Sequence, residues 1–146
     1  FGLYFTLSDW PWDETVTAAS GPHDAGAASL ESMAGQLEQR MLAQPGDPEG
    51  WKLLGRTYVV MGNYPKAAEA YGRAVAIAPE DVEALLGVAE ARVLTDESQF
   101  LGEAGAIFER ALAMAPDNPK ALWYAGLTSY QRLELASARE RWSLLK

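Results

Sequence analysis

The sequence predicts an all-α fold of stacked antiparallel helix pairs. Three observations carry that reading. From Ser29 onward apolar residues recur at intervals of three and four. The helical runs are closed by prolines at Pro45, Pro79 and Pro116. Between those prolines one pattern of large, small and aromatic residues comes back. The chain has 146 residues, 49% hydrophobic and 22% charged, enough for one domain with a real core.

The formal net charge is −8, and no basic stripe offsets it, which argues against nucleic-acid binding. Plain solubility explains the acidity. There is no cysteine, so disulfides, thiolate metal sites and covalent haem attachment in this chain are excluded. The chain starts at Phe1 rather than Met and ends on Trp142, Leu144 and Leu145 without a polar cap. It is expected to be a piece of a longer protein.

Phe1–Leu7 (FGLYFTL) is apolar but far shorter than the ~18–20 residues of a membrane span. Trp10 and Trp12 follow, as at the end of a membrane helix where indoles favour the interface. A soluble arm whose aromatics dock on the domain is the other reading, and the residues leave both open. Residues 1–12 are therefore an apolar arm. Residues 13–28 shift to Thr, Ala, Ser, Gly and Pro, a composition that predicts a flexible linker. His23, the only histidine, lies there without a second nitrogen or sulfur ligand, so no metal site is expected.

The helical domain covers 29–146. Leu30, Met33, Ala34, Leu37, Met41 and Leu42 form one stripe on a helix that fills the half repeat 29–45. Asp47–Pro48 is a cap and first-turn pair for the next helix. In the unit 48–81, Trp51, Leu54, Gly55 and Tyr58 share a helical face. Ala67, Tyr71 and Ala74 follow on a second helix, with Gly62–Asn63 turning between the two. The unit 82–118 repeats this with Leu85, Val88, Ala89, then Ala104, Phe108 and Ala111, after three extra residues within 95–102. The unit 119–146 supplies Leu122, Ala125, Gly126, then Ala138, Trp142 and Leu145.

This is the signature of a tetratricopeptide repeat (TPR) of about 34 residues. Its logic is packing. A large residue fills the space within a helix pair, and small ones let the helices approach. Stacked pairs then bury one continuous core and form a superhelix.

The first helix of each pair lines the inner surface of such a superhelix, so the groove residues follow from register. Unit one contributes Lys52, Arg56 and Val59, beside Glu49 and Val60. Unit two contributes Leu86, Glu90 and Val93, with Glu83 and Leu94. Unit three contributes Lys120, Trp123, Leu127 and Tyr130, with Gln131. Leu86, Val93, Trp123 and Tyr130 make an apolar floor suited to an amphipathic helix or apolar peptide, and Lys52 and Arg56 suit a carboxylate at one end. Alternatively these side chains pack on the 29–43 helix or the arm. Lys52 and Arg56 fit the carboxylate clamp of some TPR domains, but Leu86, Glu90 and Trp123 depart from it. No nucleophile, base or phosphate loop is in register, and the acids at Glu80, Asp81, Glu83, Asp96 and Glu97 lie where helix caps are expected. An enzyme is not expected, nor any cofactor.

The stretch 37–145 resembles the TPR domain of cytochrome c maturation proteins of the CcmI/CycH type. The resemblance lies in Gln44–Trp51 (QPGDPEGW), Leu54–Tyr58, Gly62–Ala74, Ala111–Trp123 (ALAMAPDNPKALW) and Trp142. It implies a periplasmic TPR domain behind a membrane-anchored N-terminal part. It also implies a chaperone that binds apocytochrome c, particularly its C-terminal helical segment, and delivers it to the haem lyase complex. A TPR scaffold of a pilus or secretion assembly, or a regulatory module of a larger enzyme, would share the fold.

Overall fold

In the computed structural model the backbone is described for residues 12–145 and the side chains for 26–145. The described helices are α1 (Trp12–Ala43), α2 (Pro48–Val60), α3 (Tyr64–Ile77), α4 (Val82–Thr95), α5 (Glu103–Met114), α6 (Pro119–Gln131) and α7 (Leu135–Ser143). A 3₁₀ helix, Glu97–Leu101, sits between α4 and α5. The pairs α2/α3, α4/α5 and α6/α7 stack in chain order, with α1 packed against α2 ahead of them.

Local chemistry sets the helix starts. Asp47, Asn63, Asp81 and Asn118 each accept a backbone N–H of the first turn, and Pro48, Pro65 and Pro119 occupy first-turn sites. The α2–α3 turn places Gly62 at φ 75°, a left-handed conformation that glycine adopts freely. In the α6–α7 turn Leu133 holds the same conformation at φ 63°.

One expectation fails here. Residues 13–28, expected as a flexible linker, lie within α1. Alanines at 18, 19, 25, 27 and 28 favour the helix, and α1 is anchored downstream where Ala34 and Met41 are buried. The arm at 1–11 lies outside the described residues.

Two core clusters follow the repeat. The first gathers Trp51, Leu54, Tyr58, Ala67 and Ala74 with Ala34 and Met41 of α1. The second gathers Leu86, Val93, Phe100, Phe108 and Ala121. Tyr71 joins successive pairs: a Cβ on Gly55 or on Gly87 would strike its ring from either side. The extra residues before α5 are built into the core as well. Phe100 of the 3₁₀ helix is buried, its ring 5.9 Å from Phe108, which in turn stacks on Tyr124 at 4.6 Å. Arg141 of α7 forks onto Glu109 at 2.6 and 2.8 Å and donates to Ser129 and to the Ala125 carbonyl, tying α7 to α5 and α6.

Two glycines should separate close approach from helix propensity. A Cβ on Gly105 would overlap the Phe100 carbonyl, which is backbone and cannot rotate away. Gly105→Ala should therefore cost about 2 kcal/mol. Gly72, inside α3, has nothing within 4 Å of its Cβ direction, so Gly72→Ala should gain about 0.5–1 kcal/mol. Urea melts of both variants check the pair, and a neutral Gly105→Ala would mean that the 3₁₀ helix is not packed this way.

Candidate functional site

The residues expected on the inner face lie on α2, α4 and α6, and stacking reassigns several of them. Lys52 is buried, with its side chain only 5% exposed. Its ammonium lies 2.8 Å from Asp81, 2.8 Å from Glu49 and 3.1 Å from Glu83. It is a clasp between the first two pairs and cannot meet a partner's carboxylate. Arg56 remains half exposed, 3.6 Å from Glu83.

Leu86 and Val93 were expected in the groove floor. They are 2% and 7% exposed and belong to the second core cluster. Ala121, Tyr124 and Leu127 of α6 and Phe100 of the 3₁₀ helix pack into the same cluster and close them off. Val59 is half buried against the first cluster, and Leu127 against the second.

Glu90 is held inside the stack. It accepts the Tyr124 hydroxyl at 2.9 Å and pairs with Lys120. Burial, reinforced by the charge of Glu90 and the hydrogen bond to it, pushes the Tyr124 phenol well above its ordinary value, so it stays protonated. The pair fixes α6 against α4.

Of the apolar residues expected on the inner face, Val60, Leu94, Trp123 and Tyr130 stay exposed. Trp123 is 49% and Tyr130 53% exposed, on the same face of α6. Trp142 of α7 lies between them, 5.8 Å from the Trp123 ring and 6.2 Å from Tyr130. Its indole Nε1 donates to the Trp123 carbonyl at 3.2 Å, and its ring lies over Gly126, where a Cβ would overlap it. Trp142 was assigned to packing within the last pair. Its contact with Trp123 and Tyr130 shows only in the structure, because Tyr71 and Phe108 hold the same place in earlier units. Those two are buried. Trp142 is not, since no described helix lies beyond α7.

Among the described residues no cluster of His, Cys, Asp or Glu has the makings of a metal site, and no helix is long and apolar enough to cross a membrane.

The family model for the TPR domain of cytochrome c-type biogenesis protein H matches residues 18–146. The chain belongs to that family. It is 31% identical over 139 residues to the cytochrome c-type biogenesis protein CycH of Bradyrhizobium diazoefficiens, covering 95% of this chain and 37% of that protein. It is 29% identical over 127 residues to CycH of Pseudomonas aeruginosa, covering 87% of this chain and 30% of that protein. The chain thus spans about a third of the length of these CycH relatives. The crystal structure of MamA superposes with a TM-score of 0.71 at 22% identity, covering 86% of this chain and 71% of that one, which shows a shared fold. In this member of the family Trp123 and Tyr130 of α6 are exposed beside the partly buried Trp142 of α7.

Proposed function

We propose that this domain is the chaperone module of its protein, holding apocytochrome c by its C-terminal helical segment for delivery to haem lyase subunits. In this reading it works in the periplasm, attached through an N-terminal anchor, and performs no chemistry of its own. Family membership favours cytochrome c maturation over a pilus or secretion scaffold or a regulatory module of an enzyme.

The observation that carries the reading is the open aromatic face of Trp123, Tyr130 and Trp142, bordered by Leu127. In the preceding unit the matching places, Leu86, Val93 and Phe108, are buried in a cluster that α6 residues complete. The face therefore has the shape that accepts a helix. A haem-free C-terminal helix presents its apolar side to this face, and folding around haem buries that side and releases the client. Lys52 plays no part in gripping it, because its charge is already spent on three carboxylates. Arg56 and Lys120 are the half-exposed cations of the inner face.

Trp123→Ala should weaken a fluorescent C-terminal apocytochrome peptide by about thirtyfold, the equivalent of losing an aromatic anchor worth about 2 kcal/mol. Helical circular dichroism should not change, since Trp123 is half exposed. Holocytochrome should bind far more weakly than the apo form. Equal affinity of wild type and Trp123→Ala, or of apo and holo clients, would remove the client from this face.

A further inference from the structure

Gly126 lies three residues after Trp123 and four before Tyr130, so all three share one face of α6, with the glycine between the two aromatics. The earlier units carry Lys52 and Val59, or Leu86 and Val93, at the two flanking places. Trp142 of α7 sits on the glycine: a Cβ at residue 126 would overlap its indole. Its ring centroid is 5.8 Å from that of Trp123 and 6.2 Å from that of Tyr130, and its Nε1 donates to the Trp123 carbonyl at 3.2 Å. We propose that Trp142 is a positioning residue, a wedge that holds Trp123 and Tyr130 apart and open to the client. This rests on their face being the client site.

Without the wedge, a bare strip of backbone would separate the two side chains. Glycine has no side chain to fill it, and half-exposed rings gain by removing apolar surface from water, so they would close over it. A face collapsed on itself must reopen before a helix docks, which lowers the fraction of competent molecules. The wedge is itself fixed from behind. Arg141, its neighbour in the chain, donates to the Ala125 carbonyl at 2.9 Å and to the Ser129 hydroxyl at 2.8 Å, and it forks onto Glu109. These anchors lie on either side of Gly126 in the chain, so Trp142 is placed before any client arrives.

Ring size separates this role from packing. In the middle unit Phe108 and Ala89 share one buried cluster, at the places that Trp142 and Gly126 hold in the last unit. Phenylalanine and alanine are thus a compatible pair at this contact. A phenyl ring at position 142 has no N–H for the Trp123 carbonyl and covers less of the strip between the two aromatics.

Stopped-flow binding of the fluorescent C-terminal apocytochrome peptide tests the wedge. Gly126→Ala, which displaces the indole, and Trp142→Ala should each lower the association rate constant about tenfold. The dissociation rate should stay within about twofold, because fewer molecules are competent but the bound state is the same. The double variant Gly126→Ala/Trp142→Phe should keep the wild-type urea midpoint without regaining the association rate. A faster dissociation at unchanged association would make Trp142 a direct client contact and overturn the proposal. Recovery of association together with stability in the double variant would also overturn it, leaving Trp142 a packing residue. If Trp142→Ala loses helical circular dichroism, Gly126→Ala carries the test. Trp123→Ala is the control for the client face itself: if it binds as wild type does, the face is wrong and the wedge falls with it. If it weakens the peptide while Gly126→Ala and Trp142→Ala behave as wild type, the face stands and only the wedge falls.

Discussion

Trp51→Ala should lower the free energy of unfolding by about 3–5 kcal/mol, the largest effect expected of any single truncation here. The indole is 4% exposed and sits in the first core cluster between α2 and α3, with α1 against its other side. Its Nε1 donates to the Pro45 carbonyl at 2.9 Å, which also ties down the α1–α2 turn. The Arg73 guanidinium lies 4.9 Å over its ring. Alanine removes all three contacts and leaves a cavity that rigid helices cannot close. Trp51→Phe should recover more than half of the loss by refilling most of the volume. Urea melts read the effect as a shifted midpoint at unchanged slope. A loss below about 1 kcal/mol would place Trp51 outside the core and undo the repeat register.

Lys52→Met should cost about 2–3 kcal/mol, with a pH signature that a purely apolar truncation lacks. Three carboxylates converge on this ammonium, and one of them, Asp81, also caps α4. Methionine refills the volume but leaves those acids facing one another. The cost stays below that of a fully buried pair because Glu49 and Glu83 keep more than half of their exposure to water. Burial alone works against the charged lysine. Hydrogen bonds to Asp81, Glu49 and Glu83 outweigh that and raise its pKa. Burial likewise opposes ionisation of Asp81, but hydrogen bonds from Lys52 and from the Ala84 N–H hold its carboxyl below the ordinary value.

A raised lysine stabilises the fold below its unfolded value and loses that contribution only above its folded one, beyond the neutral range. A lowered aspartate stabilises above its unfolded pKa of about 3.9 and loses that contribution as pH falls through the folded value. The gap between wild type and Lys52→Met should thus be flat from about pH 5 to 9 and close below about pH 4. A gap that stays constant down to about pH 2 would show that Asp81 is not stabilised by this clasp.

The residues expected in the groove were legible to different degrees. Trp123 and Tyr130 share a helical face by spacing, and both are exposed. Leu86 and Val93 have the same spacing on α4 and look identical as a pattern, yet they are core. Lys52 and Arg56 look like a matched pair of cations, but one is buried under three acids and the other is not. Gly105 and the 3₁₀ helix were invisible. An insertion in sequence reads as a longer loop, and only packing shows Phe100 turning inward onto Phe108.

The sequence by itself determined the helix pairs, their register and the residues at the heart of each pair. Trp51, Leu54 and Tyr58, then Ala67 and Ala74, follow from spacing, proline stops and side-chain size, all local properties of one strand of chain. The tertiary structure decided which of the remaining faces meet water. Periodicity states which side of a helix is apolar but not whether a neighbour lies against it. In a stack, that depends on how far a pair is from the ends. Equivalent positions are sealed where another described pair follows, as Leu86 and Val93 are, and exposed in the last described pair, as Trp123 and Tyr130 are.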